Sequence, residues 1–257
     1  MQGKAIADAL TSAFIKKGID VQTQVKVEGI DSTDNGLSIR LAGKSPLAVE
    51  MALVSIGRKV VSSNLGLEKI GVVTNEKGMI SVNEKMQTSV PGIYAIGDVT
   101  GISMLAHTAS HQGIVASTNA AGKAARMHYE SIPAVIFTNP EIATVGLTLE
   151  QALEKGYKAS LGKFPFQALG KSIATICTEG FSQIVVDRTT GQILGAQVVG
   201  DGASNLIAEM ALAMTNELTL DCIIDTVHAH PTAAEGWLEA ALIANETPIH
   251  FPPKAKK

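Results

Sequence analysis

Two cysteines in 257 residues leave little room for thiol chemistry. Cys177 and Cys222 stand too far apart in sequence to resemble a redox pair, and each reads as a small buried apolar residue. A disulfide between them is not expected in a chain with no sign of export. Aromatic residues are also scarce, at 4%, but a hydrophobic share of 46% is rich enough in aliphatics to bury a substantial core. Positive charge is in slight deficit, with 21 Lys and Arg against 24 Asp and Glu, which gives no basic footprint for nucleic acid. The basic tail at Lys254, Lys256 and Lys257 reads as a solvated terminus. No uninterrupted apolar run is long enough to span a bilayer, so no membrane partner is expected. The first eight residues lead into an amphipathic helix pattern instead of a signal-peptide core, which points to a cytoplasmic protein. Metal binding is equally poorly served: His228, His230 and Cys222 lack a convincing second pair of ligands.

What is present is concentrated in the run His228-Ala229-His230-Pro231-Thr232-Ala233-Ala234-Glu235. Proline fixes its own φ and pushes the residue before it into extended geometry, so His230 projects from a turn. Thr232 and Glu235 stand in the relation of a capping box, followed by Trp237, Leu238, Ala241 and Leu242 at helical spacing. Two readings of Glu235 stay open. It caps the helix and His230 is an ordinary turn residue, or it accepts a proton from one imidazole nitrogen and raises the basicity of the other. Both hold together only if Glu235 divides its carboxylate oxygens between the backbone and the ring.

Along its length the chain shows three sections without a low-complexity linker: 1–60, 61–130 and 131–257. The first two have α/β character. A helix is followed by expected strands at 21–28 and 37–41, then by a buried strand at 51–56 ending at Gly57. Residues 92–99 read as another buried strand ending in Gly97-Asp98, before a long helix that opens near Met104 and ends near Gly122. Beyond Ile132 the pattern becomes α+β. Antiparallel strands are expected at 134–137, 143–147, 159–166, 173–178, 181–187 and 193–199, then helices at 204–216 and 232–245. Gly200-Asp201-Gly202-Ala203-Ser204-Asn205 imitates a dinucleotide fingerprint. Its third glycine is replaced by Asn205 and the strand before it is antiparallel, so it reads as a helix entry.

A carboxylate at the end of a strand suits a sugar-type hydroxyl, and free amides at a helix start suit an electron-rich or anionic group. In company with Ile56-Gly57-Arg58, Asn64-Leu65-Gly66-Leu67, Tyr94-Ala95-Ile96-Gly97-Asp98, Met104-Leu105-Ala106-His107, Pro140-Glu141-Ile142-Ala143 and Lys163-Phe164-Pro165-Phe166, the His228–Glu235 run resembles the FAD- and NAD-dependent disulfide oxidoreductases. The resemblance covers essentially the whole chain but only the C-terminal half of such an enzyme. The glycine fingerprints for FAD and NAD and the closely spaced redox cysteines of the first half have no counterpart here. Within the family, His228-Ala229-His230 and Lys163-Phe164-Pro165-Phe166 look more like the lipoamide branch than the glutathione-reductase-like one.

By that resemblance, His230 is the general base toward a dithiol, Glu235 orients it, and the bond before Pro231 is cis. Asp98 binds the ribitol of FAD, and the backbone of Met104, Leu105, Ala106 and His107 lies near the flavin, with His107 contributing only its main chain. Val27 and Gly57 approach NAD, although a tight turn explains Gly57 equally well by itself. Section 1–60 becomes the tail of an NAD domain, 61–130 a returning FAD-domain and central segment, and 131–257 an interface domain through which a homodimer forms. The implied partners are lipoyl domains of 2-oxoacid dehydrogenase or glycine cleavage complexes. For this chain alone no FAD retention and no turnover are expected, and a noncatalytic dimerisation module is the competing reading.

Overall fold

The computed structural model describes residues 3–252 and contains two sheets. Its elements in chain order are α1 (Lys4–Lys16), β1 (Val27–Thr33), β2 (Gly36–Leu41), β3 (Leu47–Val49), α2 (Ala106–Ala120), β4 (Ala134–Ile136), β5 (Ile142–Gly146), α3 (Leu149–Glu154), β6 (Ala159–Pro165), α4 (Gly170–Ala174), β7 (Phe181–Asp187), β8 (Ile193–Val199), α5 (Ala203–Thr215), α6 (Leu220–Asp225) and α7 (Glu235–Ala244). The antiparallel layer β1-β2-β3 is small, and the second sheet runs in the order β4-β5-β8-β7-β6, every pair antiparallel.

The larger sheet is buried on both faces. Successive side chains of a strand point to opposite sides, and β7 shows the alternation. Ile184 and Val186 join Phe164, Ile207, Met210 and Trp237 in the main core beneath α5 and α7, while Val185 faces Leu194 and Ala152 of α3. On that second face Ile6 of α1 packs against Ile142, Phe181 and Val199. With both sides covered, every residue of β7 and β8 is buried. Helix α7 lies directly on β6. A Cβ at Gly162 would collide with the Ala240 carbonyl and stand 2.6 Å from the Ala244 nitrogen, so only glycine permits that approach.

The first 130 residues are packed more thinly. Met51, Leu53, Val54 and Ile56 are 62–94% exposed and form no strand, where a buried strand was expected from their apolar run. Other expectations also needed correction. The first strand begins at Val27 instead of residue 21. Residues 92–99 form no strand but make one isolated bridge at Tyr94 and then a 3-10 turn over Gly97–Thr100. Residues 173–178 are not a strand either: α4 occupies Gly170–Ala174, and the chain leaves it through Ile176 at φ 59°. Cys177 is half-buried and Cys222 exposed, so neither is the buried apolar residue expected, and both are free thiols. The Gly200–Asn205 segment opens α5 from Gly202, after an antiparallel strand.

Candidate active site

The dyad stands where the main core meets solvent. The His230–Pro231 peptide is cis, and α7 opens at Glu235 rather than at Thr232 as the capping pattern implied. Only one half of that box forms. The Thr232 amide donates to Glu235 Oε2 at 2.8 Å, whereas the Thr232 hydroxyl turns away and donates to the Ala229 carbonyl. Glu235 Oε1 meets His230 Nδ1 at 2.8 Å. The carboxylate is thus divided between backbone and ring, which was the condition for both roles to coexist.

Because an ionised carboxylate only accepts, this contact assigns the proton of the neutral imidazole to Nδ1 and leaves the Nε2 lone pair available. The His230 side chain is 74% exposed while that of Glu235 is 21% exposed, so the free nitrogen belongs to the accessible partner and the orienting carboxylate to the sheltered one. Gly170, at the start of α4, adjoins the ring: a Cβ there would make ordinary contact with His230 Cε1, at 3.7 Å. Burial works to raise the Glu235 pKa, but hydrogen bonds from the Thr232 amide and the His230 ring outweigh it and hold the carboxyl below its ordinary value. The carboxylate is therefore anionic at neutral pH and fit to orient a base.

Two further His–Glu pairs flank the dyad, and sequence spacing did not reveal them. His228 has a side chain only 4% exposed, with Nε2 2.9 Å from Glu209 Oε1 on α5 and Nδ1 2.9 Å from the Thr226 carbonyl. Glu239, one turn after Glu235 on α7, is buried and meets His250 Nδ1 at 2.7 Å. Partners nineteen and eleven residues apart on separate elements leave no periodic trace.

A second constellation surrounds Asp98. The Gly97 amide donates to the fully buried Gln112 side chain of α2 at 2.6 Å, and Gln112 Nε2 donates to the Tyr129 hydroxyl at 3.0 Å. This buried polar link, unseen in the sequence, ties the turn carrying Asp98 to the helix beside it. Asp98 itself is half-exposed and accepts from Arg58 Nη1 at 2.8 Å. Helix α2 begins at Ala106 after Leu105 with no side-chain cap and no acidic residue in its first turn, so its leading amides remain free to serve an acceptor. Met104, Leu105, Ala106 and His107 all lie at this entry. The His107 ring is occupied elsewhere, with Nε2 2.8 Å from the Pro133 carbonyl. Val27 opens β1 and is 55% exposed, while Gly57 sits in the exposed run at φ 116° with open space around its Cα. The structure therefore groups Asp98 with Met104–His107, and His230 with Glu235. Among the described residues no cluster of three or more potential metal ligands occurs.

Residues 1–113 match the pyridine nucleotide-disulphide oxidoreductases, and residues 132–241 match the dimerisation domain of the same enzymes. The chain belongs to the pyridine nucleotide-disulphide oxidoreductase family. Similar relatives include the dihydrolipoyl dehydrogenase of Chlamydia pneumoniae, 47% identical across 99% of this chain and 55% of the relative, and that of Geobacillus stearothermophilus, 39% identical across 96% and 53%. Among solved structures, LpdA from Mycobacterium tuberculosis superimposes with a TM-score of 0.88 at 28% identity, over 94% of this chain and 53% of that one. The HOCl-induced flavoprotein disulfide reductase RclA from Escherichia coli, solved as a Cu(II) complex, gives 0.86 at 25% identity over 93% and 55%. The chain thus spans about half the length of the curated relatives it matches. No helix among its described residues is long and apolar enough to cross a membrane.

Proposed function

We propose that this chain provides the acid/base and dimer-forming portion of a dihydrolipoyl dehydrogenase, which oxidises protein-bound dihydrolipoyl groups and reduces NAD. The observation that carries the reading is the divided Glu235 carboxylate, which holds His230 in the tautomer a general base requires. His230 Nε2 takes a proton from one thiol of the substrate, and the resulting thiolate attacks a disulfide; exchange by thiolates is the general chemistry of dithiol oxidation. Glu235 stabilises the imidazolium that forms. Overall the dithiol loses two electrons and two protons, and NAD accepts a hydride while one proton is released.

FAD, when bound, relays the electron pair between the disulfide and the nicotinamide. The residues present fit part of its cradle: the half-exposed Asp98 carboxylate suits a ribitol hydroxyl, and the uncapped start of α2 at Met104–His107 offers main-chain donors. The open approach at Gly57 and the exposed Val27 suit NAD. We assign 1–60 to an NAD-binding portion, 61–130 to a returning FAD-domain and central segment, and 131–257 to an interface domain forming a homodimer. Lipoyl domains of 2-oxoacid dehydrogenase or glycine cleavage complexes are the matching partners, and the cytoplasm or an organelle matrix is the matching compartment. The dihydrolipoyl dehydrogenase names of the relatives favour this branch over a glutathione-reductase-like activity.

The test uses the chain joined to the complementary part of a dihydrolipoyl dehydrogenase relative. His230→Gln should lower dihydrolipoamide oxidation by ~10²–10⁴-fold, the usual contribution of a general base. NADH oxidation by an artificial acceptor, which bypasses the dithiol, should largely survive. Glu235→Gln should give a smaller loss of the same kind. Dithiol oxidation within a few-fold of the parent in both variants would remove the catalytic assignment and leave a dimerisation module.

A further inference from the structure

The turn that carries His230 has little of its own to hold it. Helix α6 stops at Asp225 and α7 starts only at Glu235, and among the described residues 227–231 make no backbone-to-backbone hydrogen bond. From Asp225 to Pro231 every residue is exposed except His228. A segment with so few contacts ordinarily samples many conformations. A general base must instead stand within hydrogen-bond reach of the proton it takes. Glu235 fixes how the His230 ring is turned, through its contact with Nδ1, but not where the backbone beneath the ring stands.

His228 supplies that second constraint. Its side chain is 4% exposed and both ring nitrogens are committed, Nδ1 at 2.9 Å from the Thr226 carbonyl oxygen and Nε2 at 2.9 Å from Glu209 Oε1. A carbonyl oxygen only accepts, so Nδ1 carries a proton, and a further proton lies between Nε2 and the carboxylate. With no free lone pair and almost no accessible surface, this imidazole is not a second base. It is a strut. Glu209 lies on α5 between Ile207 and Met210, which are buried in the main core. Helix α5 is in turn joined to α7 where the Trp237 indole donates to the Leu206 carbonyl at 3.1 Å. His230 is therefore referred to two linked helices, through Glu235 to α7 and through its neighbour His228 to α5.

We propose that His228 is a positioning residue for the dithiol reaction: clamped between the Thr226 carbonyl and Glu209, it fixes the turn so that His230 Nε2 stands at the reacting thiol. The proposal rests on the general-base reading of His230. Neither His228 nor Glu209 touches the substrate, and both act through the place they give to His230. Holding a reacting group in a productive position lowers the barrier without any new contact to the substrate.

The experiment uses the chain joined to the complementary part of a dihydrolipoyl dehydrogenase relative. Glu209→Ala should lower kcat for dihydrolipoamide oxidation by about 10²-fold, the cost of a displacement of about 1 Å at a reacting centre, with KM nearly unchanged. NADH oxidation by an artificial acceptor should persist. Glu209→Gln should restore most of the rate, because its amide donates to Nε2 of a neutral ring whose Nδ1 proton stays on the Thr226 carbonyl. In a His230→Gln background Glu209→Ala should cost nothing further in dithiol oxidation, since no base is left to place, whereas a merely structural role would cost the same in both backgrounds. His228→Ala should behave as Glu209→Ala does. If it does not fold, the variants at the partly exposed Glu209 carry the test. Independently of turnover, protease cleavage within 226–231 should be about 10-fold faster in Glu209→Ala than in the parent or in Glu209→Gln, as loss of a hydrogen bond to a charged group implies. Parent-like kcat in Glu209→Ala, equal losses in both backgrounds, or unaltered cleavage of the turn overturns the proposal. The two readings fail differently. Intact dithiol oxidation in His230→Gln removes the general base and the strut with it, while a loss in His230→Gln without one in Glu209→Ala faults the strut alone.

Discussion

The two ends of this chain use the same apolar alphabet to different effect. In β7 and β8 every residue is buried, because α5 and α7 close one face of the sheet while α1 and α3 close the other. In 51–56 an apolar run lies open, with Met51, Leu53, Val54 and Ile56 62–94% exposed. The contrast shows that a hydrophobic pattern specifies how much surface must be covered and leaves open which polypeptide covers it. The later sheet is covered on both faces, on one of them partly by α1 from the start of the chain, whereas 51–56 is left open among the described residues.

The contrast is broken most directly by truncating one apolar side chain from each region. Trp237→Ala removes a side chain 1% exposed whose indole nitrogen donates to the Leu206 carbonyl at 3.1 Å. It should cost about 3–5 kcal/mol of stability by denaturant titration. A loss below about 1 kcal/mol would mean that the later core is looser than its burial implies. Gly162→Ala places a methyl against the backbone of α7 and should cost about 1–3 kcal/mol, the usual range for overpacking. A smaller effect comes from pH. The Glu235 carboxyl is held below its ordinary value when folded, so its contribution is complete above the unfolded-state value and disappears as pH falls through the folded one. The acid limb of the stability profile should therefore be shallower in Glu235→Gln, and identical limbs would show that the two hydrogen bonds leave no net preference for the ionised form. Leu53→Ala, in the open run, should change stability by no more than about 0.5 kcal/mol, as surface positions do. A loss as large as that of Trp237→Ala would show that the run is already covered.

Legibility followed the same division. The strands 181–187 and 193–199 were readable to the residue because apolar runs are bounded by Gly180 and by the Thr190-Gly191 turn, and local and tertiary preferences agree. Residues 173–178 misled: Ile173, Thr175, Ile176 and Thr178 carry strand-type side chains, but the amide of Ile173 returns to the Leu169 carbonyl and that of Thr175 to the Lys171 carbonyl, closing helical turns instead. Residues 92–99 misled in another way. Their buried members have separate causes: Ala95 packs with Val72 and Ile80, while Gly97 sits in a turn held from outside by Gln112, and no local pattern announces a partner fifteen residues away. At the site, His230 and Glu235 were visible because both lie in one short run. Glu209, Glu239 and Gln112 were hidden because contacts between separate elements write nothing into spacing.

The bare backbone contact at Gly162 reaches further than packing. At Gly162 no side chain separates β6 from α7, and the two backbones meet directly at Ala240 and Ala244. Glu235 is the first residue of that helix, and it inherits the stiffness of its seat. An imidazole carried on an exposed turn is ordinarily free to wander through several rotamers. Here its aim is referred, through one carboxylate oxygen, to a helix seated directly on the sheet. Warming or hydrostatic pressure should therefore loosen the turn around His230 well before it alters the direction in which the ring points.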